Sequence, residues 1–309
     1  MDPNNLKFNI GLPLSTDTEA FRSFLNDYHS HIESIFFSLP LGIHHHTRKK
    51  VNHYFAKEKN VATFWEMLHI IKEYDIELEL LLNAYTLNAE DVEKSAQLLK
   101  EHGIVIDCVC PLDHLFEEAR RCFPEQKMVY SYNNGIRTIS DFDSALSKHD
   151  YDYYVIGSAA IRNNELFKHI RSKGKKVILL VNNGCSFNCC WCRENDSCAK
   201  TFAHNRKTHS VEYLYALQSI LPNELYDGTI DLSQIDLLKF SNRTSSLRYT
   251  RNGLDSYISG EIVRYVSKNR MNFSLYARMQ GFWKYFLFLR LNKIREYKEE
   301  ILGHRVTFK

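Results

Sequence analysis

Short apolar runs alternate with stretches of helical period along most of the chain. The first run, Phe8–Leu14, leads into a segment that Ser15, Thr16 or Asp17 can cap, with Phe21, Phe24, Leu25 and Tyr28 on one face. A second strand is predicted at Ser34–Leu39. A long polar segment, Gly42–Asn60, then separates it from a helix at Val61–Tyr74. Strands at Glu77–Asn83, Val105–Cys110, Met128–Tyr132 and Tyr153–Gly157 precede helices at Ala89–His102, Asp113–Arg121, Ser140–Lys148 and Glu165–Ser172, and Gly103 stands where a helix-ending glycine belongs. Strand seven is Lys176–Val181. Strand eight is Ile235–Phe240, with a helix from about Arg248 to Ser267.

Strands in regular alternation with helices predict βαβ units and a parallel sheet. Runs such as VILLV and YYVIG are continuously apolar, as strands buried on both faces are. Eight such units predict an α/β protein of the (β/α)8 TIM-barrel type, with an open doubly wound sheet as the rival. No break in composition forces a second domain. Residues 1–268 therefore read as the barrel and 269–309 as a helical C-terminal extension.

Composition narrows the function classes. With 309 residues, 44% of them hydrophobic, the chain can bury a large core without disulfide staples. A formal net charge of +3 does not by itself imply nucleic acid, so nucleic-acid binding stays open. The basic, aromatic stretch from Lys268 to Lys309 reads as a solvated amphipathic helix. Its Phe282, Trp283, Tyr285 and Phe286 offer an interface to a partner. The N-terminus lacks a basic region followed by an apolar core, and no run approaches the ~20 apolar residues of a membrane helix. The expectation is a cytoplasmic protein that does not enter the membrane. Glycine-rich phosphate loops and the G-x-S-x-G elbow are absent from the sequence.

The chemistry concentrates in the cysteines. Five of the eight fall between Cys185 and Cys198, in the segment VNNGCSFNCCWCRENDSCAK directly after strand seven. In a (β/α)8 barrel that is the C-terminal mouth, where active sites are built. Thiolates are soft ligands, and four suit zinc or an iron–sulfur cluster. Structural zinc sites pair C-x2-C corners distant in sequence, whereas here all the ligands share one compact loop, which favours a [4Fe–4S] cluster. The expected ligands are Cys185, Cys189, Cys192 and Cys198, with Cys190 as an extra thiol. Zinc and unligated thiols are the alternatives. Cys108 and Cys110 are read as core thiols on opposite faces of strand four, a poor ligand pair.

Two resemblances bear on the reaction. The C-x3-C-x2-C spacing of Cys185, Cys189 and Cys192, with Trp191 before the last, resembles the radical S-adenosylmethionine signature. That resemblance implies three cysteines on three irons and the cofactor S-adenosylmethionine on the fourth. Over roughly residues 8–265 the layout resembles the collagenase-like peptidase family, peptidase family U-thirty-two. The segments that carry this are the cysteine loop after some 180 residues of barrel, LLLNAYTLNAEDVEKSAQLLKEHGI, and LLKFSNRTSSLRYTRNGLDSYISGE with Lys239, Arg243, Ser246, Tyr249 and Tyr257 on matching positions. This second resemblance implies an iron–sulfur oxidoreductase or hydroxylase-like enzyme acting without oxygen on a small organic molecule or a nucleic-acid base. It also implies a second barrel-type subunit as a partner. A non-catalytic metal-bearing subunit is a third reading.

Further site candidates follow from their places. Arg243 comes just after strand eight, and a guanidinium grips a carboxylate or phosphate bidentately. His204 follows the cysteine loop as an acid/base candidate. Asn83 after strand three and Asn133 and Asn134 after strand five are placed to orient a substrate, or to serve as turn residues. His44, His45 and His46 read as part of a solvated basic loop.

Overall fold

A computed structural model describes residues 6–14, 16–41, 49–157, 160–181, 220, 222–240 and 247–260. Eight parallel strands close on one another in sequence order, with β1 beside β8. They are β1 (Phe8–Gly11), β2 (Ile32–Phe37), β3 (Glu77–Leu82), β4 (Cys108–Pro111), β5 (Lys127–Tyr130), β6 (Tyr153–Ile156), β7 (Lys176–Leu180) and β8 (Leu237–Phe240). The expected (β/α)8 barrel is thus the fold. The extension at 269–309 lies outside the described residues.

Helices α1 (Thr18–Tyr28), α3 (Glu58–Glu73), α4 (Ala89–Glu101), α5 (Phe116–Cys122), α6 (Ile139–Lys148), α7 (Asn164–Ser172) and α8 (Leu247–Ser259) follow the strands, and a short α2 (Lys49–Phe55) precedes α3. Helix α1 starts where Asp17 accepts a hydrogen bond from Ala20 N, and it buries Phe21, Phe24 and Leu25 completely. Each of those side chains stabilises by about 1.5–3 kcal/mol on burial. Reciprocal caps open α4 (Asn88 with Asp91) and α6 (Thr138 with Asp141). Helix α2 and the first turn of α3 occupy part of the stretch predicted as polar loop. Partly buried Tyr54 and Phe55 pack there against the outer core, a weak apolar signal among many charges.

Strand β4 starts three residues later than the pattern predicts. Gly103 adopts φ +63°, and Ile104 N turns back to donate to Leu99 O at 2.9 Å. That closure of α4 leaves Val105 in solvent, 68% exposed, before the strand begins.

Alternate strand residues face the helices or the barrel axis. Phe8, Ile10, Ile35, Leu78, Leu80, Val109, Met128, Val177 and Leu179 join the outer core. Phe36, Leu81, Cys108, Cys110, Val129, Tyr153, Val155, Ile178, Leu180 and Leu237 form a separate inner cluster. Cys108 and Cys110 therefore share the interior rather than facing opposite sides. They are two residues apart, and the strand period is two.

At the N-terminal rim one device recurs three times. Asp107, Asp152 and Asp236 immediately precede β4, β6 and β8. Their carboxylates accept from Leu78 N, Met128 N and Val177 N at 2.7–2.8 Å. Their own N–H groups donate to the carbonyls of the same three residues. Each even strand is thereby fixed in register to the odd strand before it, at the end of the barrel that serves stability. Among the described residues, no helix is long and apolar enough to cross a membrane.

Candidate active site at the C-terminal mouth

The cysteine segment leaves and rejoins the barrel at one point. Val181, just past β7, donates its N–H to Lys239 O at 3.0 Å, and Ile220 N donates to Val181 O at 2.9 Å. The hydroxyl of fully buried Tyr257, on α8, lies 3.2 Å from Val181 O and 3.1 Å from Ile220 O. Just beyond the return, Glu224 accepts from Arg162 Nε at 3.0 Å and from Nη2 at 2.6 Å in a bidentate pair that is almost wholly buried. Val181 and Ile220, which flank residues 182–219, are thus fixed at the C-terminal ends of β7 and β8.

Cys185, Cys189, Cys190, Cys192, Cys198 and His204 belong to that segment and lie outside the described residues, as do Arg243 and the three histidines at 44–46. Among the described residues no group of three or more His, Cys, Asp or Glu is arranged to hold a metal, and Cys108, Cys110 and Cys122 form no disulfide. Burial first, then Glu79 and Glu77, push the Cys108 thiol well above its ordinary pKa, so it is held protonated and unreactive.

Beside the neck, one wedge of the barrel interior is polar. On the adjacent strands β8, β1, β2 and β3, Lys239, Asn9, Ser34 and Glu79 are all buried. Lys239 Nζ donates to Glu79 Oε1 at 2.7 Å and sits 4.2 Å from the centre of the Phe36 ring. Asn9 Nδ2 donates to Glu79 Oε2 at 2.8 Å and to Ser34 Oγ at 2.6 Å, which leaves Asn9 Oδ1 buried without a hydrogen bond. The opposite wedge, with Cys110, Val129, Val155 and Ile178, is apolar. Sequence reasoning placed Lys239 only through a family resemblance and missed Glu79, Asn9 and Ser34. The available signal was a polar residue at an inward position of an otherwise apolar strand, as in ELELLL and LLKF.

The predicted asparagines come together across the mouth. Asn133 Nδ2 donates to Asn83 O at 3.0 Å, Asn83 Nδ2 donates to Ser131 Oγ at 3.4 Å, and Ser131 Oγ also accepts from Asn133 N at 3.2 Å. Asn134 Oδ1 accepts from Asp113 N at 3.0 Å, and Tyr85 Oη donates to Asn133 O at 2.9 Å. These bonds lace together the loops after β3, β4 and β5. Next to them the Tyr132 ring packs on the inner cluster and over Gly157, where a Cβ would stand 2.9 Å from the ring. An open cleft of about 440 Å³, lined by Tyr85, Asp113, His114, Asn133, Asn134 and His149 among others, runs from these loops to the end of α6. It lies on the β3–β5 side, across the barrel from the β7–β8 neck.

No family model and no curated protein matches the chain. Among solved structures it is similar to the U32 peptidase Mk0906, with a TM-score of 0.50 and 10% identity over 78% of this chain and 94% of that one. It is also similar to thiamine phosphate pyrophosphorylase from Pyrococcus furiosus (TM-score 0.41, 14% identity, 83% of this chain and 97% of that one). A third likeness is to the tryptophan synthase complex from the same organism (TM-score 0.42, 14% identity, 82% of this chain and 94% of that one). At these identities the likeness is one of fold.

Proposed function

We propose that this barrel is an iron–sulfur enzyme that modifies an organic substrate at its C-terminal mouth without using oxygen. One observation carries the reading: five cysteines fall in the sequence between Val181 and Ile220, which are hydrogen-bonded to each other at the C-terminal end of β7. Soft donors at that density suit a cluster, and the described cysteines are buried in the barrel interior or apart from any group of ligands. Cys185, Cys189, Cys192 and Cys198 are the proposed ligands of a [4Fe–4S] cluster, which would supply one-electron chemistry to the mouth. Arg243, three residues beyond β8, is proposed to grip an acidic group of the substrate. His204 is proposed to hold or release a proton, and Asn83 and Asn133 to orient the bound molecule. Hydroxylation of a small organic molecule or nucleic-acid base is the reaction that the family resemblance implies. A second barrel-type subunit is the partner it implies.

The C-x3-C-x2-C spacing around Trp191 supports a second reading. There Cys185, Cys189 and Cys192 hold the cluster, S-adenosylmethionine completes it, and Cys198 is dispensable.

The test is anaerobic purification with iron, sulfide and zinc counts, and an EPR spectrum of the reduced protein with and without S-adenosylmethionine. About four irons per chain and a spectrum unmoved by the cofactor are expected. A spectrum that shifts on adding the cofactor would establish the second reading. Zinc without sulfide would overturn both and leave a metal-bearing scaffold.

A further inference from the structure

The Tyr257 ring and the Tyr257 hydroxyl do different things. The ring packs between Phe8 and Phe240, with centroids 6.4 Å and 6.2 Å away. A phenylalanine would serve as well there. The hydroxyl reaches past this packing to two carbonyls, Val181 O and Ile220 O, at 3.2 and 3.1 Å. Those residues are distant in sequence and flank the cysteine segment. Val181 O already accepts from Ile220 N, so the hydroxyl adds a third strand to the same knot and is the hydrogen-bond donor to Ile220 O.

Helix α8 is built to hold that hydroxyl at a fixed height. One turn earlier, Gly253 lets the helix close onto β8: a Cβ there would stand 2.4 Å from Phe240 Cζ. At the end of the helix, Tyr226 Oη donates to Tyr257 O at 2.7 Å and lies 2.9 Å from Ile258 O. The Tyr226 ring also fills the space where Gly260, at φ +72°, has no Cβ. Tyr226 belongs to the chain just after the segment returns. Two tyrosines thus tie in opposite directions: α8 to the neck, and the turn after the neck back to α8.

We infer that Tyr257 is a positioning residue, the clasp that holds both ends of residues 182–219 at the mouth and so keeps the bound metal from being lost. The clasp itself stands on described residues. Its bearing on metal rests on the iron–sulfur reading above.

The test compares Tyr257→Phe with the parent protein. In metal-free protein, amide hydrogen exchange at Ile220 should quicken about tenfold as its neck opens more often, while exchange in β3 and β4 stays unchanged. In the iron-loaded protein, loss of iron to a chelator should quicken by a similar factor. Unchanged exchange at Ile220 in a folded Tyr257→Phe variant would overturn the clasp. Faster exchange with unchanged iron loss would overturn its role toward the metal. Should Tyr257→Phe fail to fold, Tyr226→Phe loosens the same helix end from outside and should quicken Ile220 exchange about threefold; no change there would also overturn the clasp. A parent protein that binds no iron overturns the iron–sulfur reading and leaves the exchange result intact, so the two failures are distinguishable.

Discussion

A Lys239→Met substitution leaves the Glu79 carboxylate inside the barrel with one hydrogen bond, from Asn9 Nδ2 at 2.8 Å. Glu79 and Lys239 have side chains only 2% and 8% exposed, so solvent does not replace the lost ammonium. Breaking a buried pair by removing one partner costs about 3–5 kcal/mol, because an uncompensated charge stays behind. For 309 residues, with an unfolding entropy of about 2.1 cal/mol/K per residue, that loss lowers Tm by roughly 5–8 °C. The double variant Lys239→Met with Glu79→Leu removes both charges and fills similar volume against Phe36. Replacing a whole buried pair by apolar groups is often neutral, or stabilising by about 1–4 kcal/mol. The double variant should therefore recover most of what the single one loses. Urea and thermal unfolding of the three proteins measure this directly. A single variant within about 1 kcal/mol of the parent, or a double variant no better than the single, would refute the account. A double variant as stable as the parent but devoid of activity would assign the pair to the chemistry of the mouth.

Gly253→Ala gains about 1 kcal/mol of helix propensity but drives a Cβ to 2.4 Å from the immobile Phe240 ring, so chemical denaturation should show a net loss of about 1–3 kcal/mol. Asp152→Ala removes the acceptor for Met128 N and should cost about 1–3 kcal/mol, measured the same way. Tyr130, Tyr151 and Tyr154 are held above the usual tyrosine range, by burial first and then by nearby carboxylates, chiefly Asp113 for the first two and Asp150 for the third. Their contribution is fully present below about pH 10. It falls as pH rises further, because the unfolded chain releases protons that the barrel retains, by about 4 kcal/mol for the three together between pH 9 and 11. Unfolding free energies measured between pH 9 and 11 that show no such decline would count against their burial. Cys198→Ala should abolish iron binding while Cys190→Ala keeps about four irons per chain. An intact cluster in the first variant would remove Cys198 from the ligand set.

The barrel was legible because its strands are mostly apolar and its helices carry caps and stripes. Asp17, Asn88 and Thr138 cap where capping residues stand in the sequence. What escaped was decided by tertiary context. Val105 has a β-forming side chain, yet the closing turn at Gly103 carries it into solvent. Tyr54 and Phe55 are too few to announce α2 among the lysines and histidines around them. The three rim aspartates look like ordinary turn residues until their carboxylates are seen on the neighbouring strand. At the site, the asparagines were found by position, but most of their hydrogen bonds brace neighbouring loops. The polar wedge went unread because charged residues inside strands are usually taken as solvent-facing alternation.

The two halves of the interior are therefore unequal in what they can do. From β7 round to β3 the interior holds the Lys239–Glu79 pair and the orphaned Asn9 Oδ1 on contiguous strands, beside the neck of the cysteine segment. From β4 to β6 the inward residues are thiol and hydrocarbon, apart from Lys127 and the Tyr153 hydroxyl at the N-terminal rim, and the loops above are locked to one another by asparagine amides. A buried ionic wedge costs stability relative to an apolar one, whereas apolar layers fill a barrel interior adequately by themselves. Its cost falls on the side where the cysteines leave the barrel, which argues that on the proposed reading the half-barrel from β7 to β3 faces the reacting molecule, with Asn133 as the proposed contact from the other half, and that the rest of the other half supports it. On that argument the cleft is peripheral beyond Asn133. Substitutions at its far residues His114 and His149 should alter loop stability more than turnover, and substitutions at Asn9 or Ser34 should alter turnover as well as stability.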